Sequence, residues 1–177
     1  FWIIFHLSGL FSQVIHSILL ADYTRVWAYF KLEFTFYYIW ISVNKKTDLT
    51  IELGLQTTKE ETTKLINRCH TLEWFEKMVN KLRDNNIKIV VHIINGLPYE
   101  TKDDMLNTVK YLNNLDIQGV KIHMLSVCKE TPLEYMYNKE KFKILTKDEY
   151  IDIVINQLEL LRPEIVINRI TGDPKLE

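Results

Sequence analysis

The side chains that could do chemistry in this chain are mostly imidazoles, amides and guanidinium groups rather than thiols. There are two cysteines, Cys69 and Cys128, 59 positions apart, and five histidines. Cys69-His70 with His123 and Cys128 offers the ligand types of a zinc site, but the spacing fits no standard ligand pattern, so no metal site is expected. Two such distant thiols make no disulfide framework and suit a reducing, cytoplasmic setting. Glu130 and Glu134 read as a charge pair at a helix start rather than an acid/base pair. Lys121 and His123 alternate with Ile122, which puts both on one strand face. His92 stands in an apolar run, the usual place for a hydrogen-bonded core histidine. Gln56 closes a strand, and Arg68 sits at a helix end, where the macrodipole favours a cation. Nothing matches a Ser-His-Asp set, a phosphate-binding loop or a dinucleotide-binding glycine signature.

The elements that must position these groups alternate from Asp48 onward. Leu49 to Leu55 is a short β-rich run. Thr58 and Glu61 have the spacing of a capping box, which opens a helix to about Asn67. Thr71 caps a second helix with Leu72, Phe75, Val79 and Leu82 at helical spacing. Ile87 to Ile94 is nearly continuous β-branched sequence, as in a parallel strand covered on both faces. The turn Asn95-Gly96-Leu97-Pro98 leads to a helix begun by Thr101 and Asp104. Ile117 to Val127 is a third strand with Gly119 as a candidate bulge. Thr131-Pro132 opens a short helix. Thr146 and Glu149 form a further capping box, and Ile151, Val154, Ile155, Leu158 and Leu161 make the expected buried stripe of that helix. Arg162-Pro163 stops it before a last strand, Glu164 to Ile170. This succession predicts right-handed βαβ units and a parallel sheet. Ligands of such sheets sit at the carboxyl ends of the strands.

The 177 residues are 47% hydrophobic and 25% charged, with a net charge of −1, which argues against a polybasic nucleic-acid binder. The averages conceal an unusual start. Residues 1–40 hold thirteen of the aromatic side chains and four charged ones. Three readings stay open for it. Phe1 to Leu20 has the length of a membrane anchor but no basic residue before it and only Arg25 and Lys31 after it, so a membrane role is not favoured. Residues 1–48 can form a buried helix followed by the strand-like run Phe34 to Val43 (FTFYYIWISV). Or residues 1–48 are non-native, since enrichment in Phe, Tyr and Ile is what AT-rich DNA gives in a wrong frame.

Four stretches in order carry a family resemblance: IELGLQTTKEETTKLINRCHT (51–71), VVHIINGLPYET (90–101), IQGVKIHMLSVCKETPL (117–133) and QLELLRPEIVINRITGD (157–173). They resemble the radical S-adenosylmethionine superfamily, in the subgroup of oxygen-independent coproporphyrinogen dehydrogenase and the Elongator catalytic subunit. Within it they most resemble an uncharacterised bacterial radical S-adenosylmethionine family. The resemblance implies an α/β fold that is the carboxyl-terminal half of a partial (βα)6 barrel, an open parallel sheet with flanking helices over residues 49–173, followed by a tail at 174–177. It implies S-adenosylmethionine as ligand and, in intact members, a [4Fe–4S] cluster that cleaves it to a radical acting on an unknown substrate. By the same resemblance Gln56 contacts the cofactor, and Arg68 meets the methionyl carboxylate, as bidentate guanidinium pairing would allow. His92 takes the place of an acidic ribose ligand, and Gly96, Leu97 and Pro98 form the loop beneath the adenine. Lys121 and His123 are weaker candidates for substrate or cofactor contact.

The family's Cys-x3-Cys-x2-Cys loop is missing, and such clusters need thiolates. No cluster is therefore expected to bind this chain, and activity on its own is not expected. The expectation is a half-barrel severed from its amino-terminal half. The alternative is a non-catalytic binding or assembly module. Either way an open sheet edge invites self-association.

Overall fold

The computed structural model describes residues 48–140 and 142–171. Within them four strands, β1 (Thr50–Gln56), β2 (Lys88–Asn95), β3 (Gly119–Met124) and β4 (Val166–Arg169), form one sheet in the order β1-β2-β3-β4. Every neighbouring pair is parallel. Helices α1 (Glu60–Leu65) and α2 (Leu72–Arg83) connect β1 to β2, and α3 (Lys102–Leu112) connects β2 to β3. Helices α4 (Pro132–Glu140) and α5 (Lys147–Leu160) connect β3 to β4. This is the α/β open parallel sheet that the alternating pattern predicts. The expectations for residues 1–47 and for the tail at 174–177 fall outside the described residues.

Alternation along the strands divides the sheet into two chemically different faces. Ile51, Leu53 and Leu55 of β1, Ile89, Val91 and Ile93 of β2, and Val120 and Ile122 of β3 are buried in one core with Phe75, Val79 and Leu82 of α2 and Val109 and Leu112 of α3. Each such side chain contributes about 1.5–3 kcal/mol on burial, so this face carries the fold. The opposite face carries Glu52, Gly54, His92, Ile94, Lys121 and His123, all partly exposed. Because the side-chain period is two, slipping one strand by one residue would exchange the faces.

Several local expectations are met in detail. Thr71 accepts from the Trp74 amide, and Thr101 with Asp104 and Thr146 with Glu149 each form a reciprocal capping box. Others need correction. Thr58 does not cap α1: the N-cap position is Lys59, with no side-chain cap bond, and the Thr58 hydroxyl pairs with Thr108 at 3.1 Å instead. A tertiary partner on α3 has outcompeted the local capping bond. Gly119 is not a bulge, since the register shift lies at Val120/Lys121. A Cβ there would stand 2.1 Å from Asn168 Oδ1 and 3.2 Å from the Val166 carbonyl, so the glycine allows β4 to approach β3.

The largest departure is the rotation of α5. Its buried residues are Tyr150, Ile153, Val154 and Gln157, whereas Ile151, Ile155 and Leu158 are 44%, 51% and 39% exposed. The reason is polar. Gln157, fully buried, exchanges two amide hydrogen bonds with Asn95 at the end of β2, at 2.8 and 2.9 Å, and also donates to the Met105 carbonyl. A buried amide must be paired, and this helix rotation pairs it while burying Tyr150, Ile153 and Val154.

Replacing Gln157 by Ala strands the Asn95 amide in the core. We expect Gln157→Ala to lower stability by roughly 2–3 kcal/mol, against about 0.5 kcal/mol or less for Ile155→Ala on the exposed side of the same helix. Urea unfolding of both variants measures the difference, and equal effects would refute the role given to the amide pair.

Candidate functional site

At the carboxyl ends of β1 and β2 lies a hollow of about 570 Å³, within the size range of small-molecule sites. Its lining includes Gly54, Gln56, Arg68, Trp74 and Leu97, and the first turns of α4 close it with Pro132, Leu133 and Met136. Most of its wall is apolar, with amide and guanidinium groups at the rim. Gln56 is bent into place: it has φ +64°, a left-handed conformation unusual for a side-chain-bearing residue, at the register shift that ends β1. Its Nε2 stands 2.6 Å from where a Cβ of Gly54 would be, so the amide lies over the glycine.

Arg68 holds the rim together. Its Nη1 donates to the carbonyls of Leu55 and Thr57 at 2.8 and 2.7 Å, and its Nε and Nη2 both donate to the His70 carbonyl. Four of the five guanidinium hydrogens are thereby engaged, joining the end of β1 to the loop before α2. One N–H remains for a ligand. Leu97 is buried and contributes to the wall. Gly96, with φ +83°, turns its open side to Leu145 rather than to the hollow, and neither it nor Pro98 lines the cavity.

His92, Lys121 and His123 do not line the hollow either. They occupy the sheet face just beneath it. Gly54 pairs in register with His92, and Ile94 with His123, and both Gly54 and Ile94 line the hollow. Around Glu52 these side chains form a charge cluster. Glu52 Oε2 meets His92 Nε2 at 2.7 Å, and Lys121 Nζ donates to Glu52 Oε1 at 2.5 Å. The ring of His123 stacks on His92 with centroids 5.2 Å apart, and His123 Nε2 is buried without a hydrogen-bond partner. Burial pushes the Glu52 carboxyl up, but the hydrogen bonds and charges of Lys121 and His92 outweigh it and hold the group below the usual range. Burial holds His92 down against the pull of Glu52. Burial, with His92, Arg169 and Lys121 nearby, lowers His123 to about 4.

Glu52 and Arg169 were not among the residues expected here. The signal for Glu52 is its two-residue spacing from Gly54 and Gln56 on one strand face. Arg169 pairs in register with Lys121. Among the described residues no group of three or more His, Cys, Asp or Glu side chains is placed to hold a metal ion. Both cysteines are free and exposed. With only two in the whole sequence, the chain's residues do not fit a three-thiolate cluster. Among the described residues no helix is long and apolar enough to cross a membrane.

Comparison with known proteins bears on the fold and lineage. The profile of the Radical SAM superfamily matches residues 40–112, starting upstream of Ile51, and that of the Radical_SAM C-terminal domain matches residues 117–177. The uncharacterized protein YtqA of Bacillus subtilis is 47% identical over 135 residues, 76% of this chain and 42% of that protein. The uncharacterized protein MJ0486 of Methanocaldococcus jannaschii is 37% identical over 71% of this chain and 39% of its own length. The chain thus spans about two fifths of these curated relatives. A structure of Elp3 from Methanocaldococcus infernus, lacking residues 1–46 of its N-terminus, superposes with a TM-score of 0.64 at 23% identity, over 71% of this chain and 30% of that one. That likeness is one of fold.

The neutral imidazole of His123 makes stability depend on pH. Its pKa is depressed in the folded state, so its contribution is complete above about 6.5 and is lost as pH falls toward about 4. We expect the unfolding midpoint in urea to fall across that window and His123→Gln to flatten the fall. An identical pH profile in the variant would contradict this.

Proposed function

Because the chain belongs to the radical S-adenosylmethionine superfamily, we propose that the hollow at the ends of β1 and β2 is its adenosylmethionine-binding site. The observation carrying this reading is that Gln56, Arg68 and Leu97, distant in sequence, line one cavity with Gly54 as its floor. Ile94, Leu97 and Leu125 offer an apolar wall for a flat purine, and the Gln56 amide can donate to and accept from a polar edge. The remaining N–H of Arg68 can reach one carboxylate oxygen, so its part is chiefly to fix the rim, with at most a single bond to the methionyl group. Adenosylmethionine supplies, in this superfamily, the 5′-deoxyadenosyl radical that abstracts hydrogen from substrate.

In this reading the chain's own residues bind and orient the ligand and keep water from its apolar side. They supply no thiolate set, and we assign no step to a cluster. The chain acts as the carboxyl-terminal half of a radical S-adenosylmethionine core, inactive without thiolates from elsewhere, and the substrate is left open. A second reading is a binding or assembly module without catalysis. It is favoured by β4, which is an edge strand among the described residues and whose Val166 and Ile167 are 59% and 37% exposed there.

Calorimetric titration with S-adenosylhomocysteine tests the first reading. We expect saturable binding that Gln56→Ala weakens by about tenfold, equal to roughly 1.4 kcal/mol. Anaerobic incubation with iron and sulfide is expected to give no stoichiometric cluster absorbance. No binding would remove the site, and a stoichiometric cluster would overturn the account of the missing thiolates.

A further inference from the structure

The sheet face beneath the hollow has its own chemistry. In register across the sheet stand Gly54 on β1, His92 on β2, Lys121 on β3 and Arg169 on β4. The place above Gly54 is taken by the Gln56 amide. The row therefore reads amide, imidazole, ammonium, guanidinium: four groups that can present N–H donors side by side. One carboxylate, Glu52, already lies against it and engages His92 and Lys121. Arg169 is exposed and has no ion pair among the described residues. His123, two residues further along β3 on the same face, keeps a buried nitrogen without a partner among the described residues. An orphaned buried polar atom of this kind is unfavourable, and a ligand that pairs it would relieve that cost.

Resting on the reading of the hollow given above, we propose that this face binds an oxyanion of the substrate, a carboxylate or a phosphate, between Arg169 and His123. The charge balance favours an anion. Lys121 and Arg169 outnumber Glu52, and the two imidazoles are neutral, so the face carries one net positive charge. The groups that act on His123 are His92 on β2, Lys121 on its own strand, Arg169 on β4 and Glu52 on β1. An anion held there faces two cations and opposes a single carboxylate. It would also favour the protonated form of His123, so binding takes up a proton as pH falls. The location matters for function. Gly54, which begins this row, and Ile94, which pairs with His123, both line the hollow, so a substrate anchored by its anionic end would lie directly under a ligand in the hollow.

The test uses the full chain labelled with ¹⁵N in its histidines. Succinate and inorganic phosphate are titrated separately at constant ionic strength while the ring signals of His92 and His123 are followed by NMR. We expect at least one of them to saturate these signals and to raise the titration midpoint of His123 by about one pH unit, the lower end of what a neighbouring opposite charge does. Saturation by succinate alone assigns a carboxylate, and by phosphate alone a phosphate ester. Arg169→Gln, at an exposed position, should weaken the effect by about tenfold, and Lys88→Gln at the far end of β2 should leave it unchanged. Absence of saturation with both anions, or an unaltered response in Arg169→Gln, would overturn the proposal. S-adenosylhomocysteine binding to Arg169→Gln is measured alongside. If it persists while the anion response is absent, only this inference fails. If it is absent in the parent chain while the anion response persists, the reading of the hollow fails and the anion site stands.

Discussion

The strict alternation of side chains along three parallel strands is the constraint on which the rest depends. It places Ile51, Leu53, Leu55, Ile89, Val91, Ile93, Val120 and Ile122 beneath the helices, and Glu52, Gly54, His92, Lys121 and His123 on the other side. The apolar half of this partition supplies the burial that holds the sheet together. The polar half is a by-product of the same register, yet it assembles the Glu52, His92, Lys121 and His123 cluster beneath the hollow. A one-residue slip would bury a glutamate and a lysine among leucines and isoleucines, at a cost no packing gain could offset. Register and site are therefore one specification.

Polar contacts then refine what burial leaves loose. The Asn95–Gln157 amide pair fixes the rotation of α5 and anchors the end of β2, from which the Gly96-Leu97-Pro98 turn departs. Arg68 does the equivalent for β1, drawing the carbonyls of Leu55, Thr57 and His70 to one guanidinium. Both are buried or half-buried groups satisfied by several partners, the arrangement that rigidifies a site. Arg68 ties the end of β1 from within the wall of the hollow, and the Asn95–Gln157 pair ties the end of β2 from outside it.

Much of this was legible in the residues, because period-two and period-3.6 patterns act locally and the capping boxes at Thr101 and Thr146 close within four residues. The failures share a cause. Thr58 left its local cap for Thr108, α5 rotated for Gln157, and Gly119 served a close approach to β4 rather than a bulge, and each outcome was decided by a partner at least 47 positions away. The site was partly readable as well. Gln56, Arg68 and Leu97 do meet at one cavity, but His92, Lys121 and His123 gather around Glu52 instead, a residue that only its strand-face spacing could have flagged.

The central claim is that the carboxyl end of this sheet is shaped for an adenosyl ligand although the chain carries no thiolate set. A crystal structure of the chain grown with S-adenosylhomocysteine tests it most directly. The account predicts density for the nucleoside between the ends of β1 and β2 and the start of α4, with the Gln56 amide and Leu97 in contact. Density bound elsewhere, or a hollow filled only by protein side chains at saturating ligand, would contradict it.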